Sequence, residues 1–202
     1  MQSPCHQRQG LCCFIPRLAY LSQVKLYFNK TFFIAGLLAI LMYLVMAIQG
    51  AALKTAATPC GILNLEFAGK YNRVEEVVKA WRYLNNTALW NTLIDFGFLA
   101  AYTFFFARGT QYLSTCLPGS SLLKYQPLLQ KTAFLPGLFD VVENGFMLGW
   151  LLNIVPAYSP ELVYVLVWIK FILAAILFLV CFPAWIFNTY QFFKKKMIDH
   201  VY

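Results

Sequence analysis

Charged residues are scarce in this chain: they make up 12% of its 202 residues, against a hydrophobic content of 60%. A soluble globular domain usually carries about 25% charged residues, so the composition excludes an ordinary water-soluble domain. Histidine is scarcer still, because His6 and His200 are the only two and neither lies in an apolar run. Within those runs the lack of histidine excludes a His-bearing zinc site, histidine-ligated haem and a catalytic triad with a histidine base.

Motifs for binding nucleotides and nucleic acids are also missing from the sequence. The net charge of +8 does not point to nucleic acid either, because the cations flank apolar runs. Positive residues collect on the cytoplasmic side of membrane proteins. If the chain crosses the membrane four times, ten of the cations fall on one side: Arg8, Arg17, Lys25, Lys30, Arg108, Lys124, Lys131, Lys194, Lys195 and Lys196.

Long apolar runs are what the chain does contain, and a run of about 20 residues suffices for a membrane-crossing helix. The sequence predicts an all-α fold, a multi-pass four-helix transmembrane bundle in the plasma or inner membrane with both termini cytoplasmic. The predicted segments are a cytoplasmic N-terminal tail with an interfacial part (1–30), a membrane domain (31–193) with spans at 31–53, 88–107, 132–155 and 161–190, and a cytoplasmic tail (194–202).

An amphipathic helix is predicted at 72–84, between the first and second spans on the extracytoplasmic side. Val74, Val77 and Trp81 share one face of this helix, and charged residues occupy the other face. Such a helix lies along a membrane surface, so we expect Trp81 to sit at the membrane interface, among the lipid headgroups.

Acidic and amide residues interrupt the predicted spans. The third span contains Asp140, Glu143 and Asn144, which share one sector of the helix, and Gly137, Gly145 and Gly149 lie beside them. A carboxylate at mid-bilayer depth is costly and rarely faces lipid. This helix is therefore expected to turn its acids inward and to let a neighbour pack closely on its glycines.

Further polar residues lie at similar depth in the other spans. Asn91 and Asp95 are one turn apart in the second span, and Lys170 lies in the fourth. At a rise of 1.5 Å per residue, Asp95, Lys170 and the two acids of the third span all come near the middle of the membrane. We therefore predict one buried cluster, with Glu143 or Asp95 as the partner of Lys170. Asp140, the deepest acid, is expected to be the least compensated.

The pattern resembles that of a group of uncharacterised multi-pass membrane proteins, mainly bacterial. The resemblance covers roughly residues 60–150 and excludes the first 25. It implies that Glu66, which lies in an outer loop, belongs to the same site as the acids of the spans, and it implies no activity. The residues that carry it are Gly61-Ile62-Leu63, Glu66-Phe67-Ala68, Trp81, Asp95 and Asp140-Val141-Val142-Glu143-Asn144.

Three functions fit this predicted cluster. The first is a proton- or cation-linked transport or relay component, the second an intramembrane enzyme acting on a lipid or isoprenoid, and the third a non-catalytic subunit or assembly factor whose polar residues clamp the helices. No cofactor is predicted, although Asp95, Asp140 and Glu143 could ligate a divalent cation through oxygen. The expected partners are the lipid bilayer and either further copies of the chain or another membrane subunit, but no nucleic acid.

Overall fold

The computed structural model describes residues 28–71, 73–116, 124–154 and 160–199. Within these ranges the chain is helical and contains no strand. We number the α-helices in chain order: α1 (Lys30–Gln49), α2 (Leu63–Glu66), α3 (Val74–Ala80), α4 (Asn85–Cys116), α5 (Gln126–Thr132), α6 (Leu135–Leu151) and α7 (Pro160–Asp199). Short 3₁₀ turns follow α1 at Gly50–Leu53 and α2 at Ala68–Tyr71.

Three helical segments are long and apolar enough to cross a membrane: Lys30–Leu53, Asn85–Ser114 and Pro160–Lys194. They correspond to the first, second and fourth predicted spans. The predicted all-α fold is therefore confirmed for the described residues, and three of their helices could cross a membrane.

The helix of the second predicted span is longer than the span itself. The span was predicted to end at residue 107, whereas α4 continues through Arg108 and Gly109 to Cys116. Gly109 instead serves helix packing: a Cβ atom at this position would lie 2.6 Å from Sγ of Cys181 on α7. The glycine is thus required for close approach of two helices rather than for a chain reversal.

The helix of the third predicted span is shorter than expected, because α6 has 17 residues and ends at Leu151. Asn153 adopts a φ of 55° and lies in the left-handed region. The amide of Asn153 donates to the Trp150 carbonyl at 3.1 Å, and that of Ile154 donates to the Gly149 carbonyl at 2.9 Å. These two bonds form a Schellman cap, in which asparagine takes the position that glycine usually fills.

Residues 54–71 and 73–84, which we call the capping segment, cover one end of the packed helices. α3 within it buries Val74 and Val77 and exposes Glu75, Glu76 and Lys79. The following Trp81 is fully buried, and its indole N–H donates to the Leu53 carbonyl at 3.1 Å and to Oγ1 of Thr58 at 3.0 Å. These contacts fasten the capping segment to the end of α1.

Two apolar cores stabilise the arrangement. One lies under the capping segment and contains Leu53, Leu65, Trp81 and Met147. The other lies toward the opposite ends of α1, α4 and α7. It contains four aromatic residues together with a leucine and a cysteine: Phe32, Phe105, Phe106, Tyr112, Leu177 and Cys181. The second core fills the space between these three helices on the side away from the capping segment.

Contacts between α1 and α7 occur near that second core. The amide of Asn29 donates to Oδ1 of Asn188 at 2.7 Å, and the indole N–H of Trp185 donates to the Phe33 carbonyl at 3.2 Å. A Cβ atom at Gly36 would overlap the Trp185 ring, so glycine permits the helices to meet there. Toward the capping segment a cavity separates α1 from α7.

Candidate functional site

A buried lysine with three carboxylates around it forms the centre of the site. Nζ of Lys170 on α7 lies 2.7 Å from Oε2 of Glu143, 3.0 Å from Oδ1 of Asp140 and 3.4 Å from Oε2 of Glu66. All four side chains are at least nine-tenths shielded from solvent. The ammonium also lies 4.7 Å from the centre of the Phe171 ring, within the range of a cation–π interaction. The charge of Lys170 is thus fully engaged by its own protein.

The acids of α6 reach Lys170 because they are three positions apart on one helix face. Asp140 and Glu143 point the same way, and α6 packs against both α4 and α7. Gly137 permits close packing with α4, because a Cβ atom there would overlap Oγ1 of Thr103. Gly145 does not have the expected role, since no atom of the described residues comes near a Cβ placed on it.

The capping segment supplies the third carboxylate, that of Glu66. Gly61, with a φ of 62°, makes the turn that precedes the one-turn helix α2, and this φ value suits glycine above all. α2 then buries Leu65 and Glu66 together. Burial raises the pKa of the Glu66 carboxyl, an effect that the nearby Lys170 opposes. The membership of Glu66 in the site, which the family resemblance implies, agrees with this position.

Asp140 is well compensated, contrary to expectation. Besides Lys170 it has a second partner, because the hydroxyl of Tyr102 donates to its Oδ2 at 2.7 Å. Tyr102 was not predicted as a site residue. It lies seven positions after Asp95 and therefore on the same face of α4, which is the signal that could have indicated it.

Asp95 is the acid that Lys170 does not reach. Nδ2 of Asn144 donates to its Oδ2 at 2.8 Å, and Asp95 forms no ion pair with any described residue. The expected contact between Lys170 and Glu143 is present, whereas the alternative partner, Asp95, is wrong. Asp95 and Asn144 form a second pair beside the lysine cluster.

Asn91 lies one turn before Asp95 on α4 and is almost fully buried. Its Nδ2 donates to the Met46 carbonyl at 3.0 Å and to Oε1 of Gln49 at 2.7 Å. Nε2 of Gln49 in turn donates to the Thr87 carbonyl at 3.0 Å, which fixes the orientation of both amides. The remaining oxygen of Asn91, Oδ1, has no hydrogen-bond partner among the described residues.

A cavity of about 810 Å³ adjoins these residues. It lies between α1 and α7, with α4 behind it and the loop from Cys60 to Glu66 at one end. Most of its wall is apolar and aromatic, and several of the lining side chains are exposed, including Tyr43, Phe171 and Phe178. Its polar wall is formed by Glu66, Asn91, Asp95, Tyr102, Asp140 and Lys170, and the exposed Lys54 lines the cavity near the turn at Gly61. Glu143 and Asn144 support this wall from behind.

Asp95, Asp140 and Glu143, which could have ligated a divalent cation, do not all point to one group. No group of three or more His, Cys, Asp or Glu side chains in the described ranges is arranged to hold a metal ion. Lys170 explains this in physical terms, because its ammonium lies between Asp140 and Glu143 where a cation would bind. Asp95 points to a different partner.

Trp81 belongs to the core rather than to the polar site. Its side chain has no exposed surface, so its ring packs against protein instead of facing lipid headgroups. The physical reason is the indole N–H, which donates to two buried acceptors, the carbonyl of Leu53 and the hydroxyl of Thr58.

Comparison with known proteins gives no relative: no protein-family model, curated protein or solved structure matches this chain. The resemblance to bacterial multi-pass membrane proteins therefore stays a prediction from the motifs alone. The function has to be inferred from the site itself.

Proposed function

We propose that this protein binds an amphipathic, lipid-like molecule in the cavity between α1 and α7. The observation that supports this proposal is the cavity itself, a space of about 810 Å³ with apolar walls and one polar wall. That volume falls within the range of about 300–1,000 Å³ typical of small-ligand sites. An apolar chain would fill the aromatic part, and a polar end group would contact the polar wall.

The position of the cavity suits a ligand that enters from the bilayer. α1 and α7 are both candidate spans, and exposed side chains of each, such as Tyr43 and Phe178, line the cavity. In a membrane these side chains would face lipid tails. A molecule dissolved in the bilayer could thus reach the polar wall without crossing water.

Four crossings complete the proposed topology, with α6 as the third span and both termini cytoplasmic. α6 is about 26 Å long at 1.5 Å per residue, slightly less than a hydrocarbon core of about 30 Å. The capping segment, including α3, would then lie at the extracytoplasmic surface. The distribution of lysine and arginine supports this orientation.

Cysteine labelling tests the topology. Lys79→Cys on α3 should react only from the extracytoplasmic side and Lys124→Cys only from the cytoplasm, in a protein whose native cysteines are replaced. Both positions are exposed, and replacement must include the exposed Cys60. The proposed topology has one crossing between positions 79 and 124. If both cysteines were labelled from the same side, this topology would be wrong.

Saturable binding in lipid nanodiscs tests the function. The probes are tritiated 12-carbon chains that end in a primary amine, an alcohol or a carboxylate. We expect at least one probe to bind with about one molecule per chain. Ala47→Phe and Ala175→Phe, which place a ring in the cavity from its two sides, should abolish this binding.

Ala100→Phe is the matched control, because Ala100 is exposed on α4 and does not line the cavity. It should bind the probe as the unmodified protein does. If no probe binds saturably, or if the cavity-filling variants bind as well as this control, the proposed function is wrong.

A proton or cation relay is the second candidate, favoured by the continuous contacts from Tyr102 through Asp140 and Lys170 to Glu143. A relay needs a path to both membrane faces. The aromatic core around Phe32, Phe105 and Tyr112 occupies the interior beyond the site, so the relay would need a second chain to complete its path. Proton flux in vesicles that is lost in Asp140→Asn would favour this candidate.

A further inference from the structure

We infer that the ligand of this cavity carries a cationic amine, for which the carboxylate of Asp95 is the counter-ion and hydrogen-bond acceptor. This inference rests on the proposed function and names the chemical class of the molecule. It follows from what each polar group on the cavity wall still lacks after the contacts within the protein are satisfied.

Asp95 lacks a cation. It lies on the cavity wall and is 8% exposed, and its one described hydrogen bond comes from the neutral amide of Asn144. Asn144 holds the carboxylate in one orientation without neutralising its charge. A buried carboxylate is stabilised by an opposite charge, so a positively charged ligand group would complete this pair.

Lys170 cannot act as a receptor for an anionic group. Its ammonium already contacts oxygen atoms of Glu66, Asp140 and Glu143, so its three N–H donors are taken up within the protein. The other lysine of the cavity lining, Lys54, is exposed and forms no ion pair with these acids. A phosphate or carboxylate beside Lys170 would meet the acids that surround it, so an acidic headgroup is disfavoured there.

Aromatic rings next to Asp95 also suit a cation. Phe98 and Tyr102 follow Asp95 on the same face of α4, and their ring centres lie 5.2 Å apart in an edge-on arrangement. Tyr43 of α1 packs against Phe98 with ring centres 6.2 Å apart. All three line the cavity, and aromatic faces attract organic cations.

Comparison of end groups at constant chain length tests the inference. The probes are 12-carbon chains that end in a primary amine, trimethylammonium, an alcohol or a carboxylate, bound to the protein in nanodiscs. We expect the amine to bind about tenfold more tightly than the alcohol, and the carboxylate most weakly. Trimethylammonium should bind less tightly than the primary amine, because it has no N–H to donate to Asp95.

Asp95→Asn should remove the preference for the amine over the alcohol. Glu75→Gln, which removes an exposed carboxylate on α3, is the matched control and should keep the preference. Tightest binding of the alcohol or the carboxylate, or an amine preference that Asp95→Asn retains, would overturn the inference.

The wild-type ranking of the four probes decides the matter even if Asp95→Asn does not fold. Failure of the inference is also distinct from failure of the proposed function. If only the inference fails, a probe still binds saturably and Ala47→Phe abolishes that binding, but the amine is not preferred. If the proposed function fails, no probe binds at all.

Discussion

Lys170 and Glu143 form the shortest ion pair in the site, with Nζ and Oε2 2.7 Å apart on two different helices. Glu143 has no exposed surface, so this pair links α6 to α7 out of contact with water. Breaking a buried pair by removing one partner leaves an uncompensated charge, which is more costly than the absence of both charges.

Lys170→Met should therefore lower the free energy of unfolding by about 3–5 kcal/mol. Equilibrium unfolding in mixed micelles of a mild detergent and dodecyl sulfate measures this change. Lys79→Met is the control, because Lys79 is exposed on α3 and should change stability by no more than about 0.5 kcal/mol. Similar small effects of the two substitutions would contradict a structural role for the pair.

A double-mutant cycle identifies the partner. Adding Glu143→Gln to Lys170→Met should restore part of the lost stability, because it removes a carboxylate that Lys170→Met leaves unpaired. Asp95→Asn should show no such coupling, because Asp95 contacts Asn144 instead of Lys170. Coupling of Lys170 to Asp95 alone would mean that the contacts of the cluster differ from those described.

Gly109→Ala should destabilise the protein by about 1–3 kcal/mol, the usual cost of overpacking. The added Cβ atom would approach Cys181, which is buried on α7. Gly145→Ala is the matched control in another helix, because its Cβ atom meets open space. It should be neutral or stabilising by about 0.5–1 kcal/mol, since alanine favours the helix. Equal stability of the two variants would disprove the close approach of α4 and α7.

Trp81→Glu should lower stability by about 3–5 kcal/mol, because it removes a large buried ring and places a carboxylate in its position. Arg82→Glu should change it by no more than about 0.5 kcal/mol, since Arg82 is exposed. The same unfolding assay serves both. A larger effect of Arg82→Glu would indicate that this segment is held through its charged face.

Stability should fall as the pH rises from about 5, in part through Glu66. Burial raises the pKa of Glu66, so the folded protein keeps a proton that the unfolded chain loses above its ordinary pKa of about 4.3. The unfolded state is then favoured progressively until the pH exceeds the raised pKa. The charged groups that face Glu66 are Lys170 on α7 and Asp140 and Glu143 on α6.

Glu66→Gln should reduce the slope of this fall, because glutamine does not titrate. Unfolding curves at pH 5, 6, 7 and 8 measure the slope for both proteins. Glu75→Gln is the control and should keep the slope of the unmodified protein, since Glu75 is exposed. An unchanged slope in Glu66→Gln would contradict the raised pKa.

Depth along the helices was predictable from the sequence, and this explains why Asp140, Glu143 and Lys170 were expected together. Helical rise fixes the height of each residue once the ends of the spans are known. The neighbour toward which each side chain points could not be predicted in the same way, because it depends on which helices pack together. For this reason Asp95 was assigned to the wrong candidate pair, and the contact of Tyr102 with Asp140 was missed.

Helix ends were predicted less well, for two local reasons. Gly109 has the residue type of a terminator, but its place is set by Cys181, a residue of a distant segment. Asn153 ends α6 because it adopts a left-handed conformation, which asparagine tolerates but which its residue type does not dictate. The cavity between α1 and α7 depends on the packing of whole helices, so no residue pattern indicated it.

The early end of α6 has a consequence for the bilayer if α6 is the third span, as proposed. At about 26 Å, α6 is shorter than a hydrocarbon core of about 30 Å, so the lipids beside it would have to thin to match it. Because α6 carries Asp140 and Glu143, we expect a bilayer of longer acyl chains to strain the helix that holds both acids against Lys170.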